Sequence, residues 1–121
     1  MLPAPNRLRE RSDFTSAVRS FGGCRAGSRL LVVHATSTGA RAGLPPRVGF
    51  VVSRAVGGAV VRNRTKRRLR ALVAQRLDGI PASVDVVVRA NPLAGQASSR
   101  ELEQALDPLL RRVVKGLGGV A

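Results

Sequence analysis

Six basic residues crowd nine positions of this chain: Arg62, Arg64, Lys66, Arg67, Arg68 and Arg70, with Asn63 among them. The chemistry open to such a run is the holding of phosphate, because a guanidinium fork grips two phosphate oxygens at once. The run opens just past Gly57-Gly58, where a strand pattern gives way to a helical one. A helix start adds unpaired N–H groups and the positive end of its dipole, and glycines let a foreign backbone come close. A charge run alone is ordinarily a solvated helix face. Here no acid lies between Asp13 and Asp78, while 13 basic residues do. A polyanionic ligand accounts for that uncompensated repulsion; a solvated face does not.

The other reactive side chains offer little. His34 and Cys24 are the sole histidine and cysteine, and no third group is identifiable to orient them as base and nucleophile. One cysteine excludes an internal disulfide and a cysteine-based zinc site. Asp78 and Asp85 stand isolated and read as solvated or structural. No residue is assigned to catalysis or to a metal. Hydrophobic residues make up 44% of the 121 positions, enough to build a core and too many for a disordered basic tail. The only aromatics are Phe14, Phe21 and Phe50, so that core must be aliphatic. With a net charge of +14, nucleic acid is the expected partner class. A membrane surface is the competitor, but no basic helix here shows the bulky apolar face it requires. The first 14 residues lack the apolar core of a signal peptide, and no run approaches 18 apolar residues. A cytoplasmic protein with no membrane partner is expected.

The pattern of elements predicts a single domain over 1–121, which the charge marks as nucleic-acid-binding and the resemblance given below as RNA-binding. Residues 1–11 read as an extended basic lead-in. Phe14, Ala17, Val18 and Phe21 fall at helical spacing behind a Ser12 cap, stopped by Gly22-Gly23. Residues 28–36 and 47–53 read as strands. In the second, Val48, Phe50 and Val52 point one way; Arg47, Gly49, Val51 and Ser53 make a smaller, more polar face with room for a ligand. A helix is predicted over 59–77, with Val61, Thr65, Leu69, Leu72, Val73 and Arg76 on its inner stripe. Residues 84–88 read as a strand buried on both faces. The last helix opens on the capping box Ser98-Ser99-Arg100-Glu101. Pro108 should kink or split it, and 116–121 should fray. The class is α+β, a small sheet with helices packed on one side.

The segment from Ser53 to Arg70, SRAVGGAVVRNRTKRRLR, resembles the signature of the bacterial ribonuclease P protein family, whose hallmark is the Arg62-Asn63-Arg64 run. Asn6-Arg7-Leu8-Arg9 with Asp13-Phe14, Arg47-Val48-Gly49, and Asp85 to Arg89 resemble the family's other blocks, in order, so that the likeness covers about 5–114. The resemblance implies an α-β-β-β-α-β-α order, like the second domain of ribosomal protein S5, with a left-handed βαβ crossover against the usual rule. The extra strand follows if 25–36 form two short ones. It implies that the protein is the noncatalytic subunit of an endoribonuclease whose RNA performs the chemistry. That RNA would hold most of the Mg²⁺. Arg62, Asn63, Arg64, Lys66, Arg67, Arg68 and Arg70 would bind the catalytic RNA. Phe14, Val18, His34, Ser53 and Arg54 would line a cleft for the 5′ leader of precursor tRNA. The chain departs from the family at Val18 and His34, where aromatics are usual, and at Gly58, where Asn is usual. Phe21 and His34 are the candidates to supply the missing stacking surface. A ribosomal-type RNA-binding protein explains charge and size equally well but not the ordered motif series. A DNA-binding regulator lacks the preceding helix of a helix-turn-helix, since a strand and Gly-Gly stand there.

Overall fold

The computed structural model describes residues 4–7, 23–37 and 43–118. The expected first helix, with Phe14, Val18 and Phe21, lies outside them. Alternating aliphatic residues make four strands: β1 (Cys24–Gly27), β2 (Leu31–Ser37), β3 (Arg47–Val51) and β4 (Val84–Ala90). The strand read over 28–36 starts only at Leu31, after a turn at 28–30, and a further strand, β1, precedes it, so that 24–37 hold the two short strands the resemblance requires. Ser28 makes that turn: its amide donates to the Leu31 carbonyl at 2.8 Å, and its Oγ accepts from the amides of Leu30 and Leu31. Asn91, 63 positions away, pins it by donating from Nδ2 to the Ser28 carbonyl at 3.0 Å.

The sheet runs β1-β2-β4-β3, antiparallel except for the parallel β3–β4 pair. A parallel pair needs a crossover, and α1 (Ala59–Ala74) supplies it. α2 (Ser99–Gly118) closes the chain and packs on β1 and β2. The aliphatic core lies between helices and sheet. Leu31, Val33, Val86 and Val88 face Leu69, Val73, Leu102, Leu106 and Val113, all at most 1% exposed.

Local signals fix the helix ends with some surprises. The capping box forms: Glu101 N–H donates to Ser98 Oγ at 3.1 Å, and Ser98 N–H donates to Glu101 Oε1 at 3.0 Å. α1 stops at Ala74 rather than Leu77, and Leu77–Gly79 tightens into a 3-10 turn. Pro108 does not split α2. It sits on the exposed side with Gln104 also exposed, so the carbonyl it leaves without an amide can meet water. Residues 116–118 are helical rather than frayed. The lead-in is not wholly extended either. Ala4–Asn6 forms a 3-10 turn, Asn6 Nδ2 donates to the Pro46 carbonyl at 2.7 Å, and Arg7 bridges Val48 in parallel at the β3 edge.

Candidate RNA interface

α1 begins just past a position that only glycine suits. After the 3-10 turn Arg54–Val56, Gly57 adopts a φ of 154°, and a Cβ there would stand 2.8 Å from Val61 Cγ1. Gly58 then caps the helix without a side chain, accepting from Arg62 N–H at 2.9 Å. Residues 58–60 are exposed, so the first helical amides face outward. Gly95, in the 3-10 segment Pro92–Gln96, packs against this junction. A Cβ on it would lie 2.4 Å from the Val56 carbonyl oxygen and 3.0 Å from Val61 Cγ1. A segment distant in sequence, Pro92–Gln96, thus locks the helix start.

From that start the cations spread over the outer arc of α1, because Thr65, Leu69, Leu72 and Val73 take the inner one. They are not equivalent. Asn63, Arg67 and Arg70 are exposed, while Arg62, Arg64, Lys66 and Arg68 are half-buried. Arg64 Nη2 donates to the Gly95 carbonyl at 3.1 Å, and Arg68 Nη1 to the Ala97 carbonyl at 2.7 Å. Arg62 Nε and Arg64 Nε are buried and without an acceptor. A carbonyl orients a guanidinium without cancelling its charge. None of these cations meets a carboxylate among the described residues. Arg76 does: it donates to Glu103 at 2.6 Å and to Asp107, which raises its own pKa and holds the Asp107 carboxyl below the usual range.

A second basic surface lies on the sheet face turned away from the core. Its central row crosses all four strands as Arg25, His34, Val87 and Gly49. The neighbouring row is Gly27, Val32, Arg89 and Val51, and the next holds Thr36, Asp85 and Arg47. The small face expected along β3 is present, with Gly49 at its centre. Asp85 is not solvated: it is buried and gripped at both oxygens by Arg47, at 2.9 and 2.7 Å. That pair removes the face's only described acid from play, leaving Arg25 and Arg89 to set the field. His34 is only 8% exposed. Burial, then Arg25 and Arg89, push its pKa below 6.5 and keep the ring neutral. Ser53 and Arg54 are exposed just past the end of β3, on the side of the Arg89 row.

Of the expected site residues, the structure gathers the seven of α1 on one helix, and His34, buried, with Ser53 and Arg54, exposed, on or beside the second sheet face. Phe14 and Val18 lie outside the described residues. Arg25 and Arg89, which flank His34, were missed; strand register is the signal that finds them. Gly95 was missed too, because nothing in its local sequence tells of a backbone approach from Val56.

The profile describing the family Ribonuclease P matches residues 2–114. The ribonuclease P protein component of Streptomyces bikiniensis is 52% identical over 122 residues, covering 96% of this chain and 98% of that one. That of Streptomyces griseus is 54% identical over 123 residues, with the same coverage. Among solved structures, the ribonuclease P protein of Thermotoga maritima superposes with a TM-score of 0.70 at 26% identity, over 90% of this chain and 96% of that one. The Staphylococcus aureus protein shares the fold at a TM-score of 0.78 and 24% identity, over 90% and 97%. With half its positions identical to those of ribonuclease P components over nearly its whole length, the chain belongs to the ribonuclease P protein family, as a subunit of that ribonucleoprotein endoribonuclease whose partner is the ribonuclease P RNA.

Proposed function

We propose that α1 holds the catalytic RNA and that the exposed row of the second sheet face, with Arg25 and Arg89, takes the 5′ leader of precursor tRNA, so that the leader is cut off and a 5′-phosphate end remains on the tRNA. The observation that carries this reading is the division of the arginines. Arg47 and Arg76 have carboxylate partners, whereas the cations of α1 and the sheet-face pair Arg25 and Arg89 have none among the described residues. Two such surfaces suit an assembly in which two polyanions must be brought together. A single strand fits the accessible row Gly27, Val32, Arg89 and Val51, whose side chains are small or aliphatic apart from Arg89 and beside which Arg25 is also exposed. Ser53 and Arg54 would extend that track. Phe14 and Val18 belong to it by resemblance.

The described residues offer Mg²⁺ little: they hold no cluster of three metal-ligating side chains, the carboxylates Asp85, Glu101, Glu103 and Asp107 are engaged with Arg47, the Ser98 cap and Arg76, and Asp78 stands alone on the surface. In this reading the RNA holds the Mg²⁺, which would activate water for phosphodiester cleavage. The protein neutralises phosphates, fixes the register of the leader and lowers the Mg²⁺ needed to close the complex. No helix among the described residues is long and apolar enough to cross a membrane, which fits the cytoplasmic location this role requires. The family match spans almost the whole chain and lends nothing to a ribosomal-type alternative.

The test is cleavage at low Mg²⁺ of precursor tRNAs with leaders of graded length, by the chain, the RNA and the two combined. Efficient cutting only by the combination, with affinity rising with leader length, is expected. Equal affinity for leaderless and leader-bearing tRNA overturns the sheet-face assignment, and cleavage by the polypeptide alone overturns the whole reading.

A further inference from the structure

A cavity of about 580 Å³ opens between the outer arc of α1 and the first turn of α2. It falls within the roughly 300–1,000 Å³ of small-molecule sites. Arg64, Arg67 and Arg68 line its upper part, all on one side of α1, and Ser99 closes it from α2. Further along the same stripe Ala71 and Leu72 form an apolar floor, and Gln75 stands at the far end. No acidic side chain among the described residues lines it.

This combination is more than a basic patch needs. A groove that merely tracks a phosphate backbone requires cations, not an apolar floor and a neutral amide beyond them. We infer that the cavity receives a single unpaired nucleotide extruded from the RNA subunit, its phosphate on the arginines and its base on Ala71 and Leu72. Three features select that ligand. The guanidiniums of Arg64 and Arg68 are already oriented by the Gly95 and Ala97 carbonyls and keep free donors for phosphate oxygens. The floor offers a planar base the desolvation that a stacked duplex would not gain there. Gln75 carries both a donor and an acceptor, the pair a base edge needs. The inference rests on α1 being the surface that meets the RNA subunit, and names what that surface takes in.

Ala71→Phe tests it, because Ala71 is exposed and a ring there fills the cavity without touching charge or core. Full-length protein is titrated against the transcribed RNA subunit over a range of salt, and the base-edge reactivity of unpaired nucleotides toward a small alkylating reagent is mapped in each complex. Ala71→Phe should lower affinity about tenfold, the worth of one good base contact. Its log K against log salt slope should stay that of the wild type, since no phosphate contact is lost. One or a few nucleotides protected in the wild-type complex should become reactive. Gln75→Ala should expose the same nucleotides with a smaller affinity loss. Wild-type affinity and an unchanged reactivity map for Ala71→Phe overturn the inference. Arg67→Ala in parallel separates the two levels. If it weakens binding while Ala71→Phe does not, α1 holds RNA and no nucleotide enters; if neither variant matters, α1 is not the RNA surface.

Discussion

Truncating Arg67 and Arg70 together separates the electrostatic grip from the fold. Both are exposed on α1 and neither is held by another group among the described residues. Surface substitutions of that kind change stability by less than about 0.5 kcal/mol. Each lost phosphate contact flattens the log K against log salt slope by about 0.7 for single-stranded and 0.9 for duplex RNA-like polyanions. The double variant should thus lose about 1.4–1.8 from the slope. Raising salt fourfold would then narrow its affinity gap to the wild type by roughly tenfold. Arg64→Ala and Arg68→Ala should behave differently, because each also removes a hydrogen bond to a backbone carbonyl, at 3.1 and 2.7 Å. A charged donor to a carbonyl is worth about 1.5–3 kcal/mol, and partial exposure brings that to about 1–2 kcal/mol here. Filter-binding titrations of the RNA subunit across salt, with urea unfolding of each variant, give both readouts. The reasoning fails if the Arg67/Arg70 variant keeps the full slope. It fails equally if Arg64→Ala and Arg68→Ala unfold at the wild-type urea midpoint.

Two further outcomes follow from the geometry. Gly95→Ala should destabilise by about 1–3 kcal/mol through overpacking, because its methyl would meet the Val56 carbonyl oxygen at 2.4 Å; Gly79→Ala, with nothing within 4 Å, should unfold close to the wild type in the same urea series. For His34, the folded pKa lies below the ordinary 6.5, so the unfolded chain binds the proton more readily. Stability is full above pH 6.5 and falls as pH drops from there through the folded value. A series of urea midpoints should show this slope in the wild type and lose it in His34→Gln, and a slope that persists in the variant would refute the assignment.

What the sequence made legible was local. The basic arc of α1, its glycine-led start and the Ser98–Glu101 box each declare themselves within a few residues, and all three stand in the structure. The buried strand 84–88 was equally plain, since its aliphatic run admits little else. The turn at Ser28 was not, because its clamp is Asn91 from far along the chain. Pro108 misled because a proline's cost depends on which carbonyl it orphans, and this one faces solvent. Asp85 looked solitary until register set it beside Arg47. The ties of Arg64 and Arg68 are invisible for the same reason: their acceptors lie 31 and 29 positions away.

Those ties change what the arginine run means. A carboxylate partner would fix a guanidinium and also spend its charge, as Glu103 and Asp107 do with Arg76. A carbonyl fixes it and leaves the charge available. Long side chains that bind polyanions normally lose rotamer freedom at the moment of binding, up to about 1.5–2 kcal/mol each. Arg64 and Arg68 have surrendered much of that freedom on folding, through a segment that Gly95 allows to sit against the helix start. Arg67 and Arg70, exposed and untethered, keep theirs and adapt to the RNA surface. The fold therefore offers both a fixed pair of cations that sets position and a mobile pair that follows the ligand. The glycine at 95, itself the acceptor for Arg64, is what keeps the first pair in place.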